Sequence, residues 1–117
     1  MKPDARDPQD VGSERSEITP TRLFAAFSEE RRQHVLTYLA QKPAALHLDD
    51  LTEYVALVEN RSSDARHQQI IVDLHHRHLP QLRDAGLVRY DDETTLVELA
   101  VSPDVIVPYL RLAGHVR

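Results

Sequence analysis

The stretch from His78 to Tyr90, His-Leu-Pro-Gln-Leu-Arg-Asp-Ala-Gly-Leu-Val-Arg-Tyr, decides the fold that this sequence predicts. Its leucine spacing indicates the end of a helix. Gly86 stops that helix, because the position after a helix favours a left-handed backbone that penalises a β-carbon. An apolar strand follows at once, and the acidic turn 91–94 leads to a second strand over 95–99. A helix that runs directly into a hairpin predicts a mainly α-helical winged helix-turn-helix with a small β-hairpin wing.

Four helices are predicted upstream of the hairpin from apolar spacing and from residues that start or stop helices. Thr19 caps the first, which has Pro20 at its first position, and Ser28 caps the second. The second runs to about 41, the third spans about 48–59 and the fourth about 64–85. The apolar sides of the first three consist of Leu23, Phe24 and Phe27, then Val35, Leu36 and Leu39, then Leu48, Leu51, Val55 and Val58.

The fourth helix contains an internal proline. Pro80 cannot donate a hydrogen bond to the carbonyl of His76, so we expect a kink or a local break there. Leu82 and Leu87 are predicted core residues that fix this helix against the hairpin. The inner apolar line of the helix, within about 40° at 100° per residue, consists of Ile71, Leu74, Leu82 and Ala85.

Composition predicts three segments: a disordered arm over 1–19, the winged helix-turn-helix domain over 20–101 and a helical segment over 102–117. The arm is rich in charge and poor in apolar groups, so it cannot offset its ordering entropy. The last segment is predicted to form one or two helical turns broken by Pro108. Its apolar side chains predict self-association, and packing back onto the first helix is the intramolecular alternative.

Bulk properties narrow the class of protein. The chain has 117 residues and no cysteine, which predicts one small domain in the cytosol without disulfides or thiolate metal sites. No apolar run approaches the roughly 20 residues that a membrane span needs, and the N-terminus lacks a signal-peptide pattern. The formal net charge is −5, yet residues 61–90 hold five arginines against three aspartates. The net-basic segment therefore coincides with the fourth helix and the start of the hairpin.

Three motifs resemble a winged helix-turn-helix family of unknown function from halophilic archaea, which is related to arsenic-repressor-type regulators. The motifs are Leu-Phe-Ala-Ala-Phe-Ser-Glu-Glu-Arg-Arg-Gln-His-Val-Leu at 23–36, Leu-Asp-Asp-Leu at 48–51 and His-Leu-Pro-Gln-Leu-Arg-Asp-Ala-Gly-Leu-Val at 78–88. Together they cover roughly 22–100, and the third is the most specific. The resemblance implies the winged-helix fold and a role in transcription. One departure is the acidic wing tip Asp91-Asp92-Glu93, which phosphate repels.

Candidate DNA-binding residues lie on the fourth helix, and all of them except Arg83 are on the side opposite its apolar line. Arg66 and Gln69 are the candidates for base reading, because N-terminal residues of a recognition helix penetrate deepest and these side chains pair with guanine and adenine. Arg77 and Arg83 are predicted to grip phosphate, which fixes position without reading sequence. The full predicted set is Arg66, Gln69, Asp73, His76, Arg77 and Arg83.

Metal binding and enzyme catalysis find little support in the sequence. His67 and His75 stand about 12 Å apart along a helix axis, too far to share a zinc ion with bonds of about 2 Å. His75 and His78 could share a metal, but we expect packed, partly buried histidines instead. No nucleophile elbow, phosphate-binding glycine loop or zinc-protease motif is present. We therefore expect no enzyme activity, no cofactor, no metal and no small-molecule substrate.

The sequence predicts a homodimeric DNA-binding regulator that inserts residues 64–78 into the major groove of double-stranded DNA. The alternative is a protein-interaction module that keeps the winged-helix fold without binding DNA. The net acidic charge, the acidic wing and Pro80 favour that alternative.

Overall fold

The computed structural model describes residues 19–42, 44–60 and 63–114. Within these ranges five helices and a three-stranded antiparallel sheet form one domain, which confirms the predicted fold class. The predicted arm lies outside the described residues apart from Thr19. In chain order the elements are α1 (Pro20–Ala26), α2 (Glu30–Ala40), β1 (Leu46–His47), α3 (Leu48–Val58), α4 (Asp64–Asp73, Leu74–His78 and Leu79–Asp84), β2 (Val88–Tyr90), β3 (Leu96–Leu99) and α5 (Pro103–Leu112).

Hydroxyl side chains cap three of the helices. Thr19 accepts a hydrogen bond from the Arg22 amide at 3.2 Å, and Ser63 and Ser102 cap α4 and α5 in the same way. The predicted Ser28 cap of α2 is wrong by one residue, because Glu29 is the N-cap. The Ser28 hydroxyl instead donates to the carbonyl of Ala25 at 2.8 Å, at the end of α1.

The end of α4 confirms the role predicted for Gly86, which has a φ of 82°. Its amide donates to the carbonyl of Arg83 at 2.9 Å, and the Leu87 amide donates to the carbonyl of Leu82 at 3.0 Å. This pair of bonds is the Schellman arrangement, which satisfies carbonyls at a helix end and needs a left-handed residue. Leu82 and Leu87 are both fully buried, as predicted.

Pro80 changes the winding of α4 without breaking it. Residues Leu74–His78 form a π-helical turn, closed by a hydrogen bond from the Leu79 amide to the carbonyl of Leu74. A π turn accommodates the missing N–H of proline and keeps its ring clear of the preceding carbonyls. The predicted apolar line is therefore wrong in part, since Ile71 and Ala85 are only half-buried. The side chains that α4 buries are instead Ile70, Leu74, His78, Leu79 and Leu82.

The sheet has the strand order β1-β3-β2. The hairpin pairs Val88 with Leu99 and Tyr90 with Val97, in agreement with the predicted strands. The sequence prediction missed β1, which pairs Leu46 with Val97. A strand of two residues is too short to produce an alternating pattern.

Helix α5 completes the core against α2. Ile106 and Leu110 are fully buried within the chain, so the segment packs intramolecularly, but mainly against α2 and not against the first helix as that alternative stated. The prediction that Pro108 breaks this helix is wrong, because α5 continues through Pro108. Burial of two large apolar side chains stabilises it by about 3–6 kcal/mol, which offsets an internal proline that costs about 3 kcal/mol.

Of the three side chains predicted for the apolar side of α1, one is buried, one is half-buried and one is exposed. Leu23 is buried and Phe27 packs on Tyr109 with ring centroids 5.8 Å apart, whereas Phe24 is 65% exposed. None of the described helices is long and apolar enough to cross a membrane.

Candidate nucleic-acid interface

Helices α3 and α4 form the helix-turn-helix unit of this domain. Asn60, with a φ of 62°, reverses the chain after α3, and Ser63 caps the start of α4. The buried side chains of both helices face a shared core, so the first half of α4 has a solvent-exposed side. The second half of α4 is held in the core, while its first half lies at the surface.

Arg66 and Gln69 lie together on this exposed side. The Arg66 Nη1 donates to Gln69 Oε1 at 3.3 Å, and both residues are exposed. One helical turn separates them, so the contact presents a guanidinium and an amide side by side. These are the groups that make bidentate contacts to guanine and adenine in the major groove.

Two other predicted residues, Asp73 and Arg77, are engaged in ion pairs. The Asp73 carboxylate contacts Arg31 at 2.7 Å and His78 at 2.8 Å. Arg77 forms an ion pair with the Glu29 carboxylate and lies 3.5 Å from Asp73. Asp73 therefore connects α4 to Arg31 of α2, and Arg77 connects it to Glu29 at the start of α2.

The last two predicted residues, His76 and Arg83, make their contacts away from Arg66. His76 is exposed, with its ring edge-on to His75 at a centroid distance of 4.7 Å. Arg83 donates to the backbone carbonyl of Tyr90 at 3.2 Å and stands 3.6 Å from the wing carboxylate of Asp92. Arg83 therefore attaches the end of α4 to the wing.

A cluster of ion pairs joins α2, the end of α3 and α4, and the sequence prediction missed it. Its central residue is Arg31, whose guanidinium holds Glu59 through two hydrogen bonds of 2.5 and 2.7 Å and also holds Asp73. Arg32 is buried and donates to Gln81 and, at 2.9 Å, to Ser28. The Ser-Glu-Glu-Arg-Arg run at 28–32 was the available signal. The members of the cluster are Glu29, Arg31, Arg32, Glu59, Asp73, Arg77 and His78.

Protonation in the cluster follows from burial and from neighbouring charge. Burial alone would raise the pKa of Asp73, but His78, Arg31 and Arg77 lower it overall. Burial lowers the pKa of His78, and the neighbouring Asp73 carboxylate offsets only part of that effect. Near neutral pH the cluster therefore contains an ionised Asp73 and a neutral His78.

The three histidines considered for metal binding occupy different surroundings. His78 is 1% exposed, and the ring of His75 is 2.7 Å from the hydroxyl of Tyr90 on β2, whereas His67 lines a cavity beside Asp64 and Ile71 near the start of α4. In the described part of the chain no three histidine or carboxylate side chains converge to hold a metal ion.

Carboxylates line the surface on the other side of α4. A cavity of about 480 Å³ lies between the first turns of α3 and α4, and its acidic lining consists of Asp49, Asp50, Glu53 and Asp64. The wing turn is also acidic, and Asp91 accepts a hydrogen bond from the Glu93 amide at 2.9 Å, which lowers the pKa of Asp91. Neither surface attracts phosphate.

Comparison with known proteins identifies a family. The family described as Domain of unknown function (DUF7344) matches residues 24–98. Neither a curated protein nor a solved structure matches the chain significantly. The matched residues extend from within α1 to within β3 and so contain the helix-turn-helix unit, the ion cluster and nearly all of the sheet. Since the match covers more than half of the chain, this protein belongs to the DUF7344 family.

Proposed function

We propose that this domain binds double-stranded DNA and regulates transcription. The observation that carries the proposal is the exposed Arg66–Gln69 contact on the first half of α4, within a helix-turn-helix unit. The resemblance of the sequence to a winged helix-turn-helix family of unknown function from halophilic archaea, which is related to arsenic-repressor-type regulators, supports the same role. In this mechanism Asp64–Asp73 enters the major groove, and the buried second half of α4 holds it at a fixed angle.

The arginines assigned to phosphate contacts would have to exchange partners. Arg77 would leave Glu29 and Arg83 would leave Asp92 before either could bind a phosphate oxygen. Arg66 has no such carboxylate among its described contacts. We therefore expect Arg66 to contribute more to binding than Arg77 or Arg83.

Fluorescence anisotropy with mixed genomic DNA at several salt concentrations tests the proposal. A DNA-binding domain loses affinity as salt rises, with a slope set by the number of phosphates it contacts. No binding at any salt concentration would contradict DNA binding.

Two arginine substitutions separate base reading from phosphate contact. Arg66→Ala should cost about 1–3 kcal/mol on the preferred site and reduce discrimination at one base position. Arg77→Ala should weaken binding to all DNA sequences about equally. It should also lower by about 1 the slope of the logarithm of affinity against the logarithm of salt concentration. Arg111→Ala, on the exposed side of α5, is the matched control and should leave affinity unchanged. If Arg66→Ala binds like wild type, α4 is not the reading element.

We further propose a homodimer, which would present two α4 helices to paired half-sites. Phe24 on α1 and Leu112 on α5 are 65% and 86% exposed, and the Phe27–Tyr109 contact joins their two helices. Exposed apolar side chains on adjoining helices are typical of a contact surface. A partner could cover Phe24 and Leu112, whereas Ile106 and Leu110 are already buried within the chain.

Sedimentation velocity checks the dimer. Phe24→Asp and Leu112→Asp should each shift the protein from dimer to monomer, because a carboxylate would be buried in the apolar contact. Leu57→Asp, at an equally exposed leucine on α3, is the control and should remain dimeric. A wild-type monomer at high concentration would contradict the proposal.

A protein-interaction module is the second candidate function. The acidic cavity beside α4 and the acidic wing turn favour it, because both surfaces repel phosphate and suit a basic partner. The salt titration described above separates the two candidates.

A further inference from the structure

The π turn of α4 brings together two side chains that a regular helix would separate. Asp73 and His78 are five residues apart, which places them about 140° apart around an α-helix at 100° per residue. In the structure His78 Nε2 nevertheless lies 2.8 Å from Asp73 Oδ2. The contact and the π turn therefore depend on each other.

The π turn also determines which side of α4 faces the core. Ile70, Leu74, His78 and Leu82 are spaced by four residues, and that spacing drifts by about 40° per step along a regular helix. All four are buried, because the wider turn takes up the drift. Regular winding through residues 74–78 would rotate the segment that carries Arg66 relative to the buried Leu82.

We propose that Asp73 and His78 are positioning residues whose contact holds the π turn and thereby sets the orientation of the Arg66–Gln69 side relative to the core. The part of this inference that concerns Arg66 and Gln69 rests on the proposed DNA binding. The part that concerns the π turn stands on the geometry of the free protein.

Charged groups around His78 determine how the turn responds to acid. Asp73 and Arg77 face it from α4, and Glu29 and Arg32 face it from the start of α2. A neutral His78 donates from Nε2 to the ionised Asp73, which leaves Nδ1 as an acceptor. That Nδ1 is buried and has no hydrogen-bond partner among the described residues. A proton there would be a buried donor without an acceptor, which is costly.

This arrangement determines whether the π turn gains or loses stability as the pH falls. Burial lowers the pKa of His78 in the fold, so the opened turn takes up the proton first as the pH falls. The stability that neutral His78 contributes is complete above about pH 6.5, the value of a free histidine. It declines as the pH falls through that value toward the lower pKa of the folded state.

Amide hydrogen exchange of the full chain, followed by NMR, tests the proposal. The Leu79 amide reports the bond that closes the π turn, and the Leu87 amide reports the end of the same helix. Asp73→Asn and His78→Gln should lower the protection factor of Leu79 by about ten- to a hundredfold, the effect of losing a charge-assisted hydrogen bond. The Leu87 amide should change much less. His76→Gln, at the exposed histidine of the same turn, is the matched control and should change neither amide.

Acidification of the wild-type protein gives a second measurement that needs no variant. Between pH 7 and pH 5, on either side of the ordinary histidine value of about 6.5, protection at Leu79 should fall relative to Leu87. In His78→Gln this relative fall should be absent. Equal changes at both amides, or no relative change with pH, would overturn the proposal. Because no DNA is present, failure of the DNA-binding proposal would leave this result unaffected.

Discussion

Replacing Leu82 by alanine is expected to lower the free energy of unfolding by about 2–5 kcal/mol. Leu82 is fully buried, and its carbonyl accepts the Leu87 amide that closes the end of α4. Truncation would remove apolar contacts and leave a cavity where α4 meets β2, because the surrounding Schellman turn restricts relaxation. A loss of this size is a large fraction of the stability of a small domain.

Urea unfolding monitored by circular dichroism measures this loss. Leu57→Ala on α3 is the matched control, since the same atoms are removed from a side chain that is 70% exposed. We expect Leu57→Ala to stay within about 0.5 kcal/mol of wild type. Equal midpoints for the two variants would mean that α4 does not pack against the core as described.

Removal of the Arg31 guanidinium should have the second largest effect, lowering the free energy of unfolding by about 2–3 kcal/mol. Arg31→Met keeps most of the apolar stem but removes three charge-assisted hydrogen bonds, two to Glu59 and one to Asp73. The two carboxylates would then remain 16% and 29% exposed without the cation between them. Breaking a fully buried pair from one side costs about 3–5 kcal/mol, and partial exposure reduces that cost.

The pH dependence of the Arg31→Met effect identifies its cause. The pKa of Asp73 is below its ordinary value of 3.8 in the folded state, so its contribution is present above that value and is lost as the pH falls through it. The difference between wild type and Arg31→Met should therefore shrink in acid. Arg31→Lys should recover only part of the loss, because an ammonium cannot hold Glu59 through two parallel bonds. Wild-type stability of Arg31→Met at neutral pH would contradict a stabilising role for the cluster.

Features that depend on neighbouring residues were predictable from this sequence. The stop at Gly86 and the hairpin after it follow from local backbone chemistry, and the cap at Thr19 follows from a side chain that reaches an amide three residues ahead. The exposure of Arg66 and Gln69 was also predictable, because both precede the π turn and helical spacing still holds there.

Features that depend on distant residues were not predictable in the same way. Pro80 signalled a disturbance in α4. The sequence does not distinguish a kink, a break and a π turn, because each of them accommodates a residue that has no N–H. The choice of a π turn follows, in our proposal, from the contact between Asp73 and His78 together with the buried leucines. Arg31 is 42 residues away from its partner Asp73 along the chain, so no local pattern could pair them. Arg77 was assigned to phosphate for the same reason, since Glu29 lies 48 residues away.

Helix α5 shows that the folding unit is longer than the family match. The match ends at residue 98, within β3, yet Ile106 and Leu110 of α5 are fully buried in the packing of α5 against α2. A recombinant fragment trimmed to the matched residues would expose the apolar side of α2 to water and lose the Phe27–Tyr109 contact. Such a fragment would be prone to aggregate. Expression boundaries for this domain should therefore extend through Leu112.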